Sequence, residues 1–430
     1  MIQSLKNIWS IPDLRRRLLY TFGLLAVYRI GGHIPTPGID NAALLRHFEQ
    51  NAGSFLGYVD LFSGGNFRRF TIFALGIMPY ITASIVLQLL TVIWPYLEKL
   101  SKEGEAGRRK ITQWTRYGTV MLSVVQSLGI AWYLQGSGDS GAGAIVLHPG
   151  IRFQLMTILT LTTGTAFIMW LGEQISERGI GNGISLIIFA GIVVGLPNAV
   201  ANTLQDWNTG AINALAILLL IALMTLVVAA IVLVERAQRR VPIQYARRVV
   251  GRRVYGGAST YLPLRVNTGG VIPVIFASSM LAIPQSLRAL PFLRDVRWVE
   301  DLLRQLSYSA PLYNLLYFVM IIFFCFFYVS IIFNPMDQAD NMKKYGGFIP
   351  GIRPGKKTAE YIDRILTRLT FGGAVYLGLI SLLPVFLISG LRLEVLPVVG
   401  PTLEKIVPSF INQGLNVKFV FGGTSLLIVV

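Results

Sequence analysis

The side chains that most often carry chemistry are few in this sequence, and they are not arranged as a catalytic or metal site. The three histidines, His33, His47 and His148, lack metal-ligand spacing, and neither a G-x-S-x-G nor an H-E-x-x-H pattern occurs. The single cysteine, Cys325, lies in an apolar run, which excludes an internal disulfide and a cysteine-based metal site. The sequence therefore predicts no catalytic residue, no metal and no cofactor, and a protein that is not an enzyme.

Two glycine-rich segments have only a partial likeness to nucleotide-binding loops. Gly351 to Thr358 has the wrong spacing for a phosphate loop, and no strand is predicted before it. Gly179 to Gly183 lacks the third glycine of a dinucleotide fingerprint and lies between two apolar runs. We interpret this second segment as a tight turn on the cytosolic side of a membrane.

The elements that must position any functional residue are membrane-spanning helices. Of 430 residues, 53% are hydrophobic and 14% are charged, which is too little polar surface for a soluble domain. Apolar runs near the length needed to cross roughly 30 Å of hydrocarbon recur along the chain, which favours helices over barrel strands. We therefore predict an all-α membrane protein with ten transmembrane helices. They cover approximately residues 18–34, 70–94, 117–134, 153–171, 184–204, 211–234, 271–287, 312–333, 369–391 and 419–430.

The two ends of the chain bear on this count of spans. The first apolar run lacks a cleavable signal pattern, so we expect it to be retained as a span. The last run, from Phe419 to Val430, is too short to cross a bilayer and is typical of a span cut in mid-helix.

The distribution of basic residues predicts a cytosolic N-terminus. Twenty-six Lys and Arg residues fall on one side of the predicted spans and eleven on the other, while Arg29 lies within the first span. Loops rich in Lys and Arg remain in the cytosol, which orients the chain. The same rule explains most of the formal net charge of +17, which could otherwise indicate nucleic-acid binding.

Ten spans divide into two halves of five, residues 1–204 and 205–430. Because five is odd, a structural repeat between the halves must run in opposite directions through the membrane. The second and seventh spans both open with a Gly-to-Pro interruption, Gly76 to Pro79 and Gly269 to Pro273. Paired breaks mark the functional interface of inverted-repeat proteins, although Gly and Pro are also common in membrane helices generally.

No Asp or Glu lies within any predicted span. This argues against a proton-coupled solute carrier and against an intramembrane aspartyl protease, since both depend on carboxylates inside the membrane. A sodium-coupled carrier that binds its ion through backbone carbonyls stays open.

Six long segments of the sequence match a known family of membrane proteins. They are FSGG (62–65), IFALGIMPYI (72–81), KEGEAGRRK (102–110), ERGIGNG (177–183), PGIRPG (350–355) and FGGTSLLI (421–428). On these segments the chain closely resembles the SecY family, the central subunits of the bacterial Sec translocon. The resemblance implies two five-helix halves that close around an hourglass pore.

At the narrowest point of that pore the resemblance implies a ring of apolar side chains. By motif, the ring consists of Ile77, Ile81, Ile184, Ile188, Ile275 and Ile428. The first two pairs each have i, i+4 spacing, so the members of a pair share one helix face. Without the resemblance, the same pattern is expected of side chains that contact lipid. A ring of branched aliphatic chains can close around an extended polypeptide and can exclude ions by dewetting.

The resemblance also implies a plug at about residues 55–69, outside the ring. The plug candidates are Tyr58, Leu61, Phe62, Ser63, Gly64 and Gly65. The apolar part of this segment is too short to span a membrane, and the glycines allow the chain to turn back. An interfacial loop is the alternative interpretation.

The resemblance further implies a lateral gate toward lipid at spans two and seven, which carry the paired breaks. Its candidate residues are Pro79, Thr82, Gln88, Pro273 and Ser279. Hydrogen bonds between helices in lipid are worth about 0.6 kcal/mol on average, so polar residues there would make the seam reversible. Ordinary packing residues would look the same in sequence.

Two basic segments, Glu235 to Asn267 and Asn334 to Arg368, are longer than a minimal turn. The resemblance implies that they dock the ribosome or the motor ATPase SecA through Arg252, Arg253 and Arg353. Exposed guanidinium groups suit both rRNA phosphates and acidic protein patches. The other implied partners are the SecE and SecG subunits, signal sequences, nascent polypeptides and the lipid bilayer.

The function that the resemblance implies is that of a passive protein-conducting channel in the bacterial plasma membrane, for translocation of unfolded polypeptides and lateral insertion of membrane proteins. An inverted-repeat solute carrier is the second hypothesis. A membrane enzyme would need a nucleophile or metal that the predicted spans do not contain.

Overall fold

The computed structural model describes residues 10–50, 63–136, 145–210, 214–245, 248–250, 253–255, 259–287 and 310–389, together with Leu306 and Leu427. The first half of the chain forms seven helices within these ranges. They are α1 (Pro12–Gly31), α2 (Asn41–Gln50), α3 (Met78–Ile93), α4 (Pro95–Lys102), α5 (Glu105–Gly136), α6 (Ile151–Arg178) and α7 (Gly183–Asn208).

The second half combines helices with short strands. Its described elements are α8 (Ala214–Arg236), β1 (Gln238–Tyr245), β2 (Arg248–Val250), β3 (Arg253–Tyr255), β4 (Ser259–Arg265), α9 (Ile272–Leu287), α10 (Pro311–Ile332), α11 (Pro335–Lys344), β5 (Gly347–Phe348) and α12 (Lys356–Ser389).

Several helices have the length and composition of membrane spans. Within the described ranges, four helical segments pass this test: α5, α6, Pro311–Lys344 and Lys356–Leu383. A fifth span results if α3 and α4, which are bent by 100° at their junction, are taken together. The apolar parts of α7 and α9 are shorter. The prediction of a helical membrane fold is confirmed, while the count of ten spans stays a prediction.

The second predicted span, 70–94, is the clearest error in the predicted boundaries. Residues 70–77 form turns, because Phe70 and Gly76 have φ values of 42° and 57° that interrupt a helix. The helix α3 starts only at Met78, with Pro79 in its first turn. After Trp94 the chain turns into α4, whose Leu97 and Leu100 are buried.

The segment predicted as the first basic loop contains strands. β1 pairs antiparallel with β4, with Val241 opposite Leu262, and with β5, with Gln244 opposite Phe348. Val241 and Ile243 point inward and join a small hydrophobic cluster, while Arg239 and Arg240 are exposed. The sequence interpretation treated this segment as a basic loop for docking, although Val241 to Tyr245 already shows the alternation of apolar and polar residues that is typical of a half-buried strand.

The largest hydrophobic cluster lies between the two halves of the chain. It draws buried residues from α1, α3, α6 and α7 of the first half and from α8, α9, α10 and α12 of the second. The helix pairs α5 with α6 and α10 with α12 pack along their lengths on either side. Side chains from both halves therefore meet in one continuous core.

Candidate functional site

The ring isoleucines predicted from sequence come together in this central cluster. Ile77, Ile81 and Ile188 are buried members of it, and Ile184 and Ile275 are partly buried and pack against it. These five side chains come from three helices, α3, α7 and α9, or from the residue just before α3. Ile428 lies outside the described residues, and its neighbour Leu427 belongs to the same cluster. Their role as a pore ring stays a prediction.

Matched breaks set the positions of α3 and α9. Gly76 and Gly270 have φ values of 57° and 60°, a left-handed conformation that glycine adopts without steric cost. In each case a proline follows three residues later in the first turn of the helix, Pro79 or Pro273. Ile81 and Ile275 both lie two residues after that proline, so they occupy corresponding positions.

This correspondence identifies a residue that sequence analysis missed. Ile77 lies two residues before Pro79, and Val271 lies two residues before Pro273. Val271 packs against the central cluster as a partly buried side chain. The signal was present in the sequence, since equal spacing from the two prolines relates Val271 to Ile77.

Close packing of α6 on α7 positions the second pair of isoleucines. Gly183 lies directly against the carbonyl oxygen of Gly172, and a Cβ on Gly172 would be 3.1 Å from Cγ1 of Ile184. Asn182 caps α7 by accepting a hydrogen bond from the Ile184 backbone N–H at 3.1 Å. The predicted tight turn at 179–183 is confirmed, and it orients Ile184 toward the core.

The described part of the predicted plug is the segment that begins at Ser63. Ser63 is buried, and Gly64 and Gly65 have φ values of 70° and 80° that turn the chain. Tyr58, Leu61 and Phe62 lie outside the described residues. The assignment of this segment to a plug stays a prediction.

The two helices of the predicted gate, α3 and α9, lie in contact. Pro79, Pro273 and Thr82 are buried at this level. Thr82 donates to the Met78 carbonyl at 3.0 Å, and Gln88 donates to Ser84 at 3.3 Å, so these hydrogen bonds stay within α3. Ser279 of α9 is buried, and its hydroxyl finds no partner among the described residues. The expected hydrogen bonds across the seam are therefore not formed by Thr82 and Gln88 in this arrangement, in which mainly apolar side chains hold the helices together.

Two of the three predicted docking arginines fall within the described residues. Arg353 is exposed, and its carbonyl oxygen accepts a hydrogen bond from Thr358 at 2.9 Å, which fixes the turn before α12. Arg253 begins β3, where it pairs with Val250, and Arg252 lies outside the described residues. Because β5 pairs with β1, the two basic segments meet in one three-stranded sheet, β4-β1-β5. We refer to this sheet as the base of the two basic segments.

An ion pair that sequence analysis did not predict joins α5 to α6. Arg116 donates to Glu173 at 2.8 Å, and only 15% of the Glu173 side chain is exposed. Glu173 lies two residues beyond the end predicted for the fourth span, so it was not among the residues predicted to lie inside the membrane. In the part of the chain that the structure describes, no group of three or more His, Cys, Asp and Glu side chains is placed to hold a metal.

Comparison with known proteins adds the evidence that decides the family. The sequence profile of the SecY family matches residues 71–430. The protein translocase subunit SecY of Escherichia coli K12 is 49% identical over 429 residues, which cover 100% of this chain and 90% of that protein. The corresponding subunit of Aquifex aeolicus is 44% identical, with 100% of this chain and 94% of that protein covered.

The chain belongs to the SecY family. The resemblance drawn from the sequence motifs is thereby confirmed.

Solved structures agree with the SecY fold. A protein-conducting channel superposes with a TM-score of 0.61 and 18% identity, covering 96% of this chain and 89% of that chain. A SecY protein studied for the role of its plug domain in stabilising the closed state and the membrane seal superposes with a TM-score of 0.59 and 21% identity, with the same coverage. At this level of identity the likeness concerns the fold alone.

Proposed function

We propose that this chain is the channel-forming subunit of a bacterial Sec translocon, through which unfolded polypeptides cross the plasma membrane or enter it sideways. The observation that carries the proposal is the meeting of Ile77, Ile81, Ile184, Ile188 and Ile275 in one apolar cluster between the two halves. Family membership supports the same function, because the SecY relatives are named protein translocase subunits.

The ring acts as a seal that does no chemistry. Closed isoleucine side chains leave no polar surface to hold a column of water, so ions are excluded by dewetting. An extended polypeptide can part the side chains without hydrogen-bonding to them. The chain supplies the path and the seal, and a motor or the elongating ribosome supplies the energy.

Lateral exit uses the contact between α3 and α9. Each helix is separated from the preceding chain by a left-handed glycine, Gly76 or Gly270. Such a break ends the helical hydrogen bonding, so the helix can tilt without bending the segment that precedes it. The absence of hydrogen bonds from Thr82 and Gln88 to α9 in the described arrangement keeps the energy of parting the helices low.

The shared base of the basic segments is the docking surface in this proposal. The ribosome and the SecA ATPase are the partners on the cytosolic side, and SecE and SecG are the partners in the membrane. Structures with the same fold include Sec61 in a canine ribosome-channel complex, with a TM-score of 0.57 and 18% identity over 96% of this chain and 89% of that chain. The excess of basic residues on this side supports a cytosolic N-terminus.

Crosslinking of a stalled secretory chain tests the path. The only native cysteine, Cys325, is removed first by Cys325→Ala, and single cysteines are then placed by Ile77→Cys, Ile188→Cys or Ile275→Cys. We expect each to form a disulfide with a cysteine in the stalled polypeptide, because the polypeptide must pass between these side chains.

Exposed apolar positions on the outside of the helices provide the control. Leu218→Cys on α8 and Leu315→Cys on α10 replace side chains that are 64% and 62% exposed. They should crosslink weakly. Crosslinks at these two positions with none at the ring would contradict a central path for the polypeptide.

A further inference from the structure

Residues 63–67, within the described part of the predicted plug, pack closely against backbone near two of the predicted ring isoleucines. We refer to these residues as the hinge segment. A Cβ on Gly64 would lie 2.7 Å from the Cα of Gly191, three residues after Ile188 on α7. A Cβ on Gly76, the residue before Ile77, would lie 3.6 Å from the Cα of Ser63. The hinge segment therefore contacts backbone next to two ring isoleucines.

The buried Tyr28 hydroxyl of α1 forms hydrogen bonds with the hinge segment. The Tyr28 hydroxyl donates to the Ser63 carbonyl at 3.4 Å and accepts from Nδ2 of Asn66 at 3.3 Å. The same Asn66 nitrogen donates to the Ser63 carbonyl at 2.6 Å. Tyr28 and Asn66 are 4% and 1% exposed, so these bonds are made away from solvent. Nη1 of Arg29 reaches the Gly64 carbonyl at 3.5 Å from a less buried position.

Apolar contacts position the Tyr28 ring independently of its hydroxyl. The ring stacks on Phe73 with a centroid distance of 5.8 Å, and Phe73 stacks in turn on Phe167 of α6 at 6.0 Å. A phenylalanine at position 28 would keep these contacts. Removing the hydroxyl alone therefore tests its two hydrogen bonds to the hinge segment without disturbing the packing of the ring.

We propose that Tyr28 and Asn66 form a hydrogen-bonded latch that holds the hinge segment against the ring and sets the threshold for opening. The proposal rests on the channel function argued above. Buried hydrogen bonds are costly to break while their groups stay dry, yet they are exchanged for bonds to water once a channel is wet. The hydrogen bonds of the latch therefore stabilise the closed, dry state. Once the channel is open and wet, water replaces these bonds, so their loss costs little free energy.

The test removes the hydroxyl and measures ion flow. The chain carrying Tyr28→Phe is reconstituted with SecE and SecG in planar lipid bilayers, and conductance is recorded in the absence of substrate. The loss of a hydrogen bond of ordinary net strength predicts about 2- to 10-fold more open time. Asn66→Ala should act in the same direction. The effect of the double variant should be smaller than the sum of the two single effects, because both variants remove the hydrogen bond between Tyr28 and Asn66.

Tyr20→Phe is the matched control. Tyr20 lies on the same helix, and its hydroxyl donates to Oε1 of Gln174 at 3.3 Å, away from the hinge segment. This variant also removes a tyrosine hydroxyl, which makes one part-buried hydrogen bond, so its thermal stability should fall by no more than that of Tyr28→Phe. Its conductance should equal that of the unaltered chain. An equal rise in conductance for Tyr20→Phe and Tyr28→Phe would mean general loosening and would overturn the latch.

Amide hydrogen exchange gives a second readout that does not depend on transport. The backbone N–H of Phe67 donates to Oγ of Ser63 at 3.1 Å, and that of Thr71 donates to the Asn66 carbonyl at 3.0 Å. Both amides should exchange faster in Tyr28→Phe, by about the same 2- to 10-fold, and should be unchanged in Tyr20→Phe.

A positive control separates failure of the latch from failure of the channel. Ile81→Asn, which places an amide in the ring itself, should raise conductance whether or not the latch exists. If it does so while Tyr28→Phe changes neither conductance nor exchange, the latch is wrong and the channel function stands. If Tyr28→Phe speeds exchange while neither variant changes conductance, the channel function is what fails.

Discussion

Two of the isoleucines predicted to form the ring lie beside glycines. Ile77 directly follows Gly76, and Ile184 packs over Gly172, where a Cβ would come within 3.1 Å of it. Because glycine has no side chain, a neighbouring isoleucine can pack directly against its backbone. The β-branched isoleucine side chain has few rotamers, so this contact fixes its position. This arrangement suits a seal whose side chains must meet at one level.

A single polar substitution in the ring should therefore open the seal. In Ile81→Asn or Ile275→Asn, a closed ring buries an unpaired amide at a cost of about 1–3 kcal/mol, which corresponds to a rise in open population of about 5-fold or more. Ion conductance across planar bilayers measures this, and signal-sequence requirements should relax in parallel.

Ile81→Leu provides the matched control, because it conserves volume and adds no polar atom. Its conductance should stay near that of the unaltered chain. Unchanged conductance in the Asn variants, together with altered uptake of a small solute, would favour the inverted-repeat carrier instead.

At the scale of elements, α3 and α9 share one way of starting. Each begins after a left-handed glycine with a proline in its first turn, although they belong to opposite halves of the chain. At position 270, glycine is required by the left-handed backbone conformation and not by lack of room for a side chain, since nothing lies within 4 Å of a Cβ on Gly270. A side chain there would be strained even though it fits.

Gly270→Ala should lower stability by about 1–2 kcal/mol, the cost of a left-handed conformation for a residue with a Cβ. Gly372→Ala in α12 is the control, since its Cβ also meets nothing within 4 Å and its backbone is helical. That change should leave stability unchanged or raise it by about 0.5–1 kcal/mol. Thermal unfolding midpoints in detergent measure both, and equal shifts would show that the conformation of Gly270 is unimportant.

At the scale of the whole molecule, the strands tie both basic segments to membrane helices. Asn267, between β4 and α9, donates to Oε1 of Glu235 at the end of α8 at 2.5 Å. A Cβ on Gly373 of α12 would lie 2.6 Å from the Val266 carbonyl, so α12 packs closely on the same connection. A partner bound to this base therefore contacts a structure that is continuous with α8, α9 and α12.

Charge reversal on this base should weaken docking. We expect Arg353→Glu to reduce affinity for ribosomes or for SecA by about tenfold near 0.1 M salt, and less at higher salt, because exposed charges are screened over roughly 10 Å at 0.1 M. Arg178→Glu, at the exposed last residue of α6, is the control and should change affinity little. Equal losses for the two variants would indicate a diffuse charge effect without a defined docking surface.

Much of the architecture could be predicted from local sequence features. Hydropathy alone indicated a helical membrane protein, because the length of an apolar run relates directly to bilayer thickness. The glycines and prolines at 76–79 and 269–273 marked the starts of α3 and α9, since their backbone preferences act over three or four residues. The i, i+4 spacing placed Ile77 with Ile81 and Ile184 with Ile188 on shared helix faces.

Tertiary structure alone decided which of these faces meet. The antiparallel pairing of Gln244 in β1 with Phe348 in β5 and the hydrogen bond between Tyr28 and Asn66, 38 residues apart, join segments whose own sequences do not specify a partner. The meeting of α3, α7 and α9 isoleucines in one cluster is of the same kind. Propensity and hydropathy belong to single residues and short windows, whereas contacts between distant segments depend on how the whole chain closes its loops and fills its core.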